Sequence, residues 1–273
     1  MYNVIFASDL DRTLIYSKNS MGESIARDEL VPVEFHNGNY ISFMSKQALD
    51  ILIELNDLFP FVPVTTRTIE QYQRVFYLSD VLKPKYAITS NGGNILVEGS
   101  PDKEWRSLIQ SELRNSVSHL EVKAMYDELS SPEWALRGRL CDDLFYTMII
   151  DRERMPESIV EFLRNQLLGL GWTVSIQGRK LYLVPDCVNK GNAIRHLKER
   201  LGSSYIAASG DSLLDESLLL AADYAIAPRH GELYAMRQSS EILSFTGLIG
   251  IRSSEELLVC IKEAMRLQTL QFS

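Results

Sequence analysis

Short apolar runs alternate with amphipathic stretches along most of this chain. "NVIFASD" is continuous and β-rich, as a strand buried on both faces requires. "LVPVEFHNGNYISFM" alternates on either side of Asn37-Gly38, the favoured pair for a type I′ turn, and predicts a β-hairpin. "SKQALDILIELNDLF" has helical spacing, with Ser45 as its N-cap. "FVPVTTR" predicts a second buried strand, "TIEQYQRVFYLSDVL" a helix, and "KYAITSNGG" a third strand ending in a glycine turn. Strands separated by helices in this way form parallel sheets with crossover connections.

The pattern changes between Pro101 and Asp186. There it predicts a helix, a connector, the strand "LFYTMIID", the helix "PESIVEFLRNQLLGL", and a hairpin of "WTVSIQG" and "KLYLVPD" across Gly178. Alternation then returns: helix "KGNAIRHLKERLG", strand "YIAASGD", helix "SLLDESLLLAA", strand "DYAIAP", a short helix around "GELYAMR", strand "EILSFT" and the final helix "SEELLVCIKEAMRLQTL". The expected architecture is α/β: a Rossmann-like parallel-sheet core from residues 1–100 and 187–273, with an inserted α+β cap domain at 101–186. In such a sheet the carboxyl edge of the strands holds ligands.

Composition narrows the function. The chain has 273 residues, 45% of them hydrophobic, enough for a sizeable core. A formal net charge of −8 disfavours nucleic acid and anionic membrane as partners. It allows a small anionic substrate if local cations invert the field. The three cysteines, Cys141, Cys187 and Cys260, are far apart and odd in number, which suits a reducing, cytoplasmic setting. No basic leader precedes the first apolar run, and no run is long enough to span a bilayer. A monomer or homodimer is expected.

Four stretches carry candidate chemistry. "DLDRTLIYSKNS" places Asp9 and Asp11 where a buried strand meets the sheet edge. An EF-hand is poorly supported, because Leu14 replaces the turn glycine and Ser20 the bidentate glutamate. The plainer alternative is a surface N-cap cluster. "FVPVTTR" ends in Thr65 and Thr66 with Arg67 following; these hydroxyls could hold a phosphate oxygen or cap the next helix. "PDCVNKGNAIRHL" puts Lys190 in the first turn of a helix behind Asn189, where a cation opposes the macrodipole and needs a partner. "SGDSLLDES" adds Asp211 and Asp215 to an edge already carrying two acids. A divalent cation would offset the repulsion, and oxygen ligands suit magnesium.

In this order, DxDxT, a strand ending in Thr, a Lys at a helix start and GDxxxD resemble the haloacid dehalogenase (HAD) superfamily of phosphohydrolases. The insertion lies between the second and third motifs, and "ITSNGGNI" is similar to the strand-Asn-Gly turn of the Cof-like class IIB branch. That branch includes sucrose-phosphate phosphatase, mannosyl-3-phosphoglycerate phosphatase and phosphomannomutase. The resemblance implies a Mg2+-dependent phosphatase acting on a sugar or polyol phosphate. Asp9 would be the nucleophile and Asp11 the acid/base. Asp9, Asp211 and the Asp11 carbonyl would hold the metal, supported by Asp215, and Thr65 and Lys190 would bind phosphoryl oxygens. Arg12, Thr66, Arg67, Asn91, Gly92 and Arg179 are the substrate-binding candidates, and Thr13 is expected to order the loop. A phosphomutase of the phosphomannomutase type shares these motifs, and a non-catalytic ligand-binding module is the reading from another class.

There are departures: Arg12 and Thr66 stand where glycine is frequent, Leu214 where Asn is, and the Asn37-Gly38 hairpin, in the place of the flap, looks long. In the cap, Arg137, Arg139, Arg179 and Lys180 are the basic candidates for choosing a substrate, although an exposed basic hairpin tip is the plainer reading of Arg179 and Lys180. Trp134, Tyr146 and Trp172 are expected in the cap core, and the four histidines receive no role.

Overall fold

The computed structural model describes residues 4–22, 25–236 and 243–271. By Cα proximity the chain divides into two units, Met1–Asp102 with Lys190–Ser273, and Lys103–Asn189.

The first unit opens with β1 (Val4–Ser8), buried at every position, and the hairpin β2 (Leu30–His36) and β3 (Asn39–Ser45). Asn37 and Gly38 both take positive φ, as the type I′ turn requires. Then come α1 (Lys46–Leu58), β4 (Phe61–Pro63), α2 (Ile69–Gln73), a π-helical segment Tyr77–Leu82, β5 (Tyr86–Thr89), β6 (Asn94–Val97) and β7 (Ser100–Pro101). The inserted unit contains α3 (Lys103–Leu113), α4 (His119–Leu129), β8 (Ala135–Cys141), β9 (Phe145–Ile150), α5 (Glu157–Leu168), β10 (Trp172–Gln177) and β11 (Lys180–Pro185). The first unit resumes with α6 (Lys190–Leu201), β12 (Tyr205–Ser209), α7 (Glu216–Leu220), β13 (Tyr224–Ala227), α8 (Glu232–Met236), β14 (Leu243–Phe245) and α9 (Ile251–Gln271).

The main sheet is five-stranded and parallel, ordered β14-β13-β12-β1-β4. Its apolar residues, among them Phe6, Phe61 and Ile226, form one buried cluster with Leu52 of α1 and Leu257 of α9. The inserted unit is an antiparallel sheet ordered β10-β11-β9-β8, and its own core gathers Trp134, Tyr146 and Trp172. Among the described residues, no helix is long and apolar enough to cross a membrane.

Four local expectations are corrected. The helix expected over residues 68–82 breaks after α2, because the Arg74 carbonyl accepts from the Phe35 amide of the hairpin (3.3 Å) instead of continuing a helical ladder. β5 meets the chain just past β4 through a parallel bridge, Val64 to Ile88, and pairs antiparallel with β6, which the pattern did not mark. The connector in the insertion is really α4 and β8. The first carries a legible Ser118/Glu121 capping box, whereas the second is an exposed edge strand whose arginines hide its alternation. The "SLLDESLLLAA" helix shrinks to a 3-10 turn and α7. The start of "EILSFT", Glu241-Ile242, lies outside the described residues.

Candidate active site

β1 ends at Ser8, in register with Ser209 of β12 and Pro63 of β4. The chain leaves β1 for β4 on one side and later returns through β12 on the other. Connections diverge at this edge, which makes it a topological switch point. Asp9, Thr65 and Asp211 each lie just past one of these strand ends.

Asp9, Lys190, Asp211 and Asp215 are all buried, with Lys190 1% exposed and Asp215 0%. Lys190 Nζ donates to Asp9 Oδ1 at 2.7 Å and also to Asp215 Oδ1. This accounts for a lysine at a helix N-terminus: two carboxylates outweigh the unfavourable macrodipole. Asp215 Oδ2 accepts from the Asp211 amide (3.1 Å), the Ser212 amide (2.9 Å) and the Ser212 hydroxyl (2.7 Å). Its oxygens are largely spent on protein donors. Glycine is required at 210, because a Cβ there would lie 2.4 Å from the Asp215 Cβ. The Thr13 hydroxyl donates to Asp9 Oδ2 at 3.3 Å.

Carboxylate oxygens of Asp9, Asp211 and Asp215 lie within 4.8 Å of one another. Three carboxylates share one buried ammonium, with the Arg12 guanidinium on the rim beside Asp211, so negative charge is in excess. Burial first, then repulsion from Asp215, pushes the Asp9 carboxyl up to about 7 against the pull of Lys190. Asp211 is raised for the same two reasons. Lys190 is held above its ordinary value because Asp215 and Asp9 overcome the opposing effect of burial. The charge imbalance and the all-oxygen donor set fit a small divalent cation such as magnesium.

Asp11 has different surroundings. Its side chain is 53% exposed, and Arg67 grips it with Nε to Oδ2 (2.7 Å) and Nη2 to Oδ1 (2.8 Å). Arg67, expected to meet substrate, is also bound to Glu34 of β2 through Nη1 (2.7 Å) and Nη2 (3.0 Å). Thr65 is buried, and its hydroxyl accepts from the Arg67 amide at 3.2 Å. The helix cap is Thr68, not Thr65 or Thr66. Thr66 is half-buried. Asn91 and Gly92 are buried in a positive-φ turn tied to the site by the Asn91 amide, which donates to the Thr65 carbonyl at 3.0 Å. Arg179 belongs to the inserted unit, exposed in the β10–β11 turn.

Arg12 takes a left-handed φ of 63°, which explains why glycine suits this position. Its guanidinium donates to the His230 carbonyl (3.2 Å) and lies 3.7 Å from Asp211. It is a rim cation with partners, not a purely solvated one. His230 was missed from sequence, since nothing in the histidine spacing marks it. The Gly250 amide can only donate, at 3.1 Å, so His230 Nδ1 accepts and Nε2–H donates to the Arg12 carbonyl at 3.0 Å. Burial lowers its proton affinity, with the Arg12 carbonyl opposing.

The model of the sucrose-6F-phosphate phosphohydrolase family matches residues 2–232. Sucrose-phosphatase from Synechocystis sp. PCC6803, solved with sucrose and phosphate, is similar at a TM-score of 0.71 and 17% identity, over 96% of this chain and 99% of that one. A protein from Thermoplasma acidophilum has a TM-score of 0.61 and 16% identity, over 96% and 99%. A HAD subclass IIB sugar phosphatase has a TM-score of 0.62 and 13% identity, over 95% and 98%. No curated protein sequence matches the chain. The family match spans most of the sequence, and the motifs, fold and buried acid cluster agree with it: the chain belongs to the sucrose-6F-phosphate phosphohydrolase family of the HAD superfamily and is a phosphoric monoester hydrolase.

Proposed function

We propose that this protein is a magnesium-dependent phosphatase that hydrolyses a sugar or polyol phosphate through an aspartyl-phosphate on Asp9. The observation that carries the reading is the buried Asp9–Lys190 pair at 2.7 Å, set among Asp211 and Asp215 on the switch-point edge.

An oxygen of Asp9 attacks phosphorus, and the bond from phosphorus to the substrate's alkoxy oxygen breaks. Asp11 gives that oxygen its proton. Asp11 then takes a proton from water as the water attacks phosphorus. The Asp9–phosphorus bond breaks, inorganic phosphate leaves, and Asp9 is regenerated. Lys190 and the Thr65 hydroxyl proton stabilise charge on the phosphoryl oxygens. Asp9, Asp211 and the Asp11 carbonyl would hold magnesium, which supplies further charge neutralisation there. Asp215, occupied by Lys190 and the Asp211-Ser212 amides, orients those groups and supports the metal indirectly.

Substrate choice is assigned to the inserted unit. Arg139 pairs with Thr147, Arg137 and Lys180 with Ile149, and Gln177 with Lys180, so all lie on one sheet face. Ser175, paired with Tyr182, shares it. The Ser175 hydroxyl and the Gln177 amide nitrogen are buried there with no hydrogen-bond partner in the structure. Such groups suit a hydroxyl-rich substrate.

The test is phosphate release from a panel of phosphorylated sugars and polyols, with and without magnesium, by wild type and Asp9→Asn. Turnover should require magnesium, and the variant should fold normally yet lose more than about a thousandfold in kcat. Wild-type turnover by Asp9→Asn would rule out the covalent mechanism.

A further inference from the structure

The long hairpin contributes one side chain to the catalytic edge. Glu34 of β2 is 1% exposed. The β2–β3 register shifts on both sides of it, between Pro32 and Glu34 and between Glu34 and Phe35. An irregularity of this kind re-aims a side chain. Here the carboxylate is directed onto Arg67, which reaches Oε1 at 2.7 Å and Oε2 at 3.0 Å. The Ser42 hydroxyl donates to the same carboxylate from the facing strand, and Arg74 Nε lies 3.9 Å away.

All the donors of Arg67 are thereby committed. Two bonds go to Asp11, two to Glu34, and a further one, from Nη1, to the Gln71 carbonyl at 3.3 Å. The planar guanidinium works as a two-sided fork, with one face of donors on a fixed, buried carboxylate and the other on a half-exposed one. A buried carboxylate without a partner is strongly disfavoured, so Glu34 holds Arg67 firmly. Asp11 is 53% exposed and can leave the fork while Glu34 keeps it neutralised and in place.

We infer that Glu34 is a positioning residue for the reaction: through Arg67 it fixes the seat from which Asp11 swings to the leaving oxygen and to which it returns. This rests on the acid/base reading of Asp11 above. Without Glu34 the guanidinium would lose its anchor, and Asp11 would be presented in many orientations. Misplacement of an acid matters most for a leaving group that needs protonation.

The experiment compares a sugar phosphate, whose alkoxide needs a proton, with p-nitrophenyl phosphate, whose phenolate does not. Glu34→Gln keeps the shape and removes the charge. Its kcat on the sugar phosphate should fall about tenfold or more, its KM should change by less than about threefold, and the aryl ester should lose less than about threefold. Ser42→Ala, which removes one bond to Glu34 and leaves its charge, should lower kcat on the sugar phosphate more than on the aryl ester, by a smaller factor than Glu34→Gln. It carries the test if Glu34→Gln fails to fold. Parallel losses on both esters, or an effect confined to KM, would overturn the inference. Asp11→Asn separates the two levels. If it discriminates between the esters and Glu34→Gln does not, the role of Glu34 fails and the acid/base reading stands. If Asp11→Asn loses equally on both, the acid/base reading itself fails, and the role of Glu34 with it.

Discussion

Two ion-pair clusters stand at the same sheet edge and are built differently. Around Lys190, every partner is buried: the ammonium is 1% exposed, and it faces Asp9 and Asp215. Around Arg67, one carboxylate is buried and the other is open, with Glu34 1% and Asp11 53% exposed. The difference matches the work proposed for each. A nucleophile must be held still, so Asp9 is pinned by Lys190, Thr13 and its neighbours. The proposed acid/base would have to reach first the leaving oxygen and then water, and Asp11 is correspondingly paired at an exposed position. Preorganisation and mobility are thus distributed between two side chains two residues apart.

The buried cluster should be the more fragile. Lys190→Met would leave Asp9, Asp211 and Asp215 without their buried cation, with only Arg12 on the rim beside Asp211. We expect a loss of about 3–5 kcal/mol in denaturant unfolding without metal, together with loss of turnover. A stability equal to wild type would show that these acids are solvated in the protein and would erase the contrast with Arg67.

Metal and pH sharpen the contrast next. Burial and Asp215 raise Asp9 from 3.8 to about 7, so between those values the native state binds protons that the unfolded state has released. Its contribution therefore makes the metal-free protein less stable as pH rises through that window. Magnesium needs the ionised carboxylates, so its stabilisation should grow along the same axis. Thermal melts should show a larger rise in Tm on adding magnesium at pH 8 than at pH 5. Equal rises would mean that the cation does not use Asp9 and Asp211.

The smallest expected effect is at Arg12, beside both clusters. Arg12→Gly relieves a left-handed φ worth about 1 kcal/mol, which offsets part of what the lost contacts to His230 and Asp211 contributed. If the guanidinium helps to hold an anionic substrate, KM rises and kcat stays near wild type. Unchanged kinetics would leave Arg12 as a rim cation only.

Much of this was legible from local pattern. A run as apolar as "NVIFASD" ending in Asp9 can hardly be anything other than a central strand with its acid at the edge, and "YIAASGD" repeats the signal for Asp211. Asn37-Gly38 specifies its own turn, and Ser45 its own cap. Lys190 announced a partner because its position opposes the helix dipole, although the pattern did not say which. The edge strand β8 escaped because its exposed arginines carry no alternation of burial to detect.

The sequence by itself therefore determined the strand order of chemistry: which acids, hydroxyls and lysine reach the carboxyl edge, since strand and helix periodicity place them through short-range sterics and burial. Only the tertiary structure decided who binds whom there. That Arg67 serves Asp11 and Glu34 together, that Asp215 binds Lys190, and that His230 braces Arg12 all depend on contacts between residues distant in the chain. Such contacts follow from the packing of whole elements and leave no trace in local spacing.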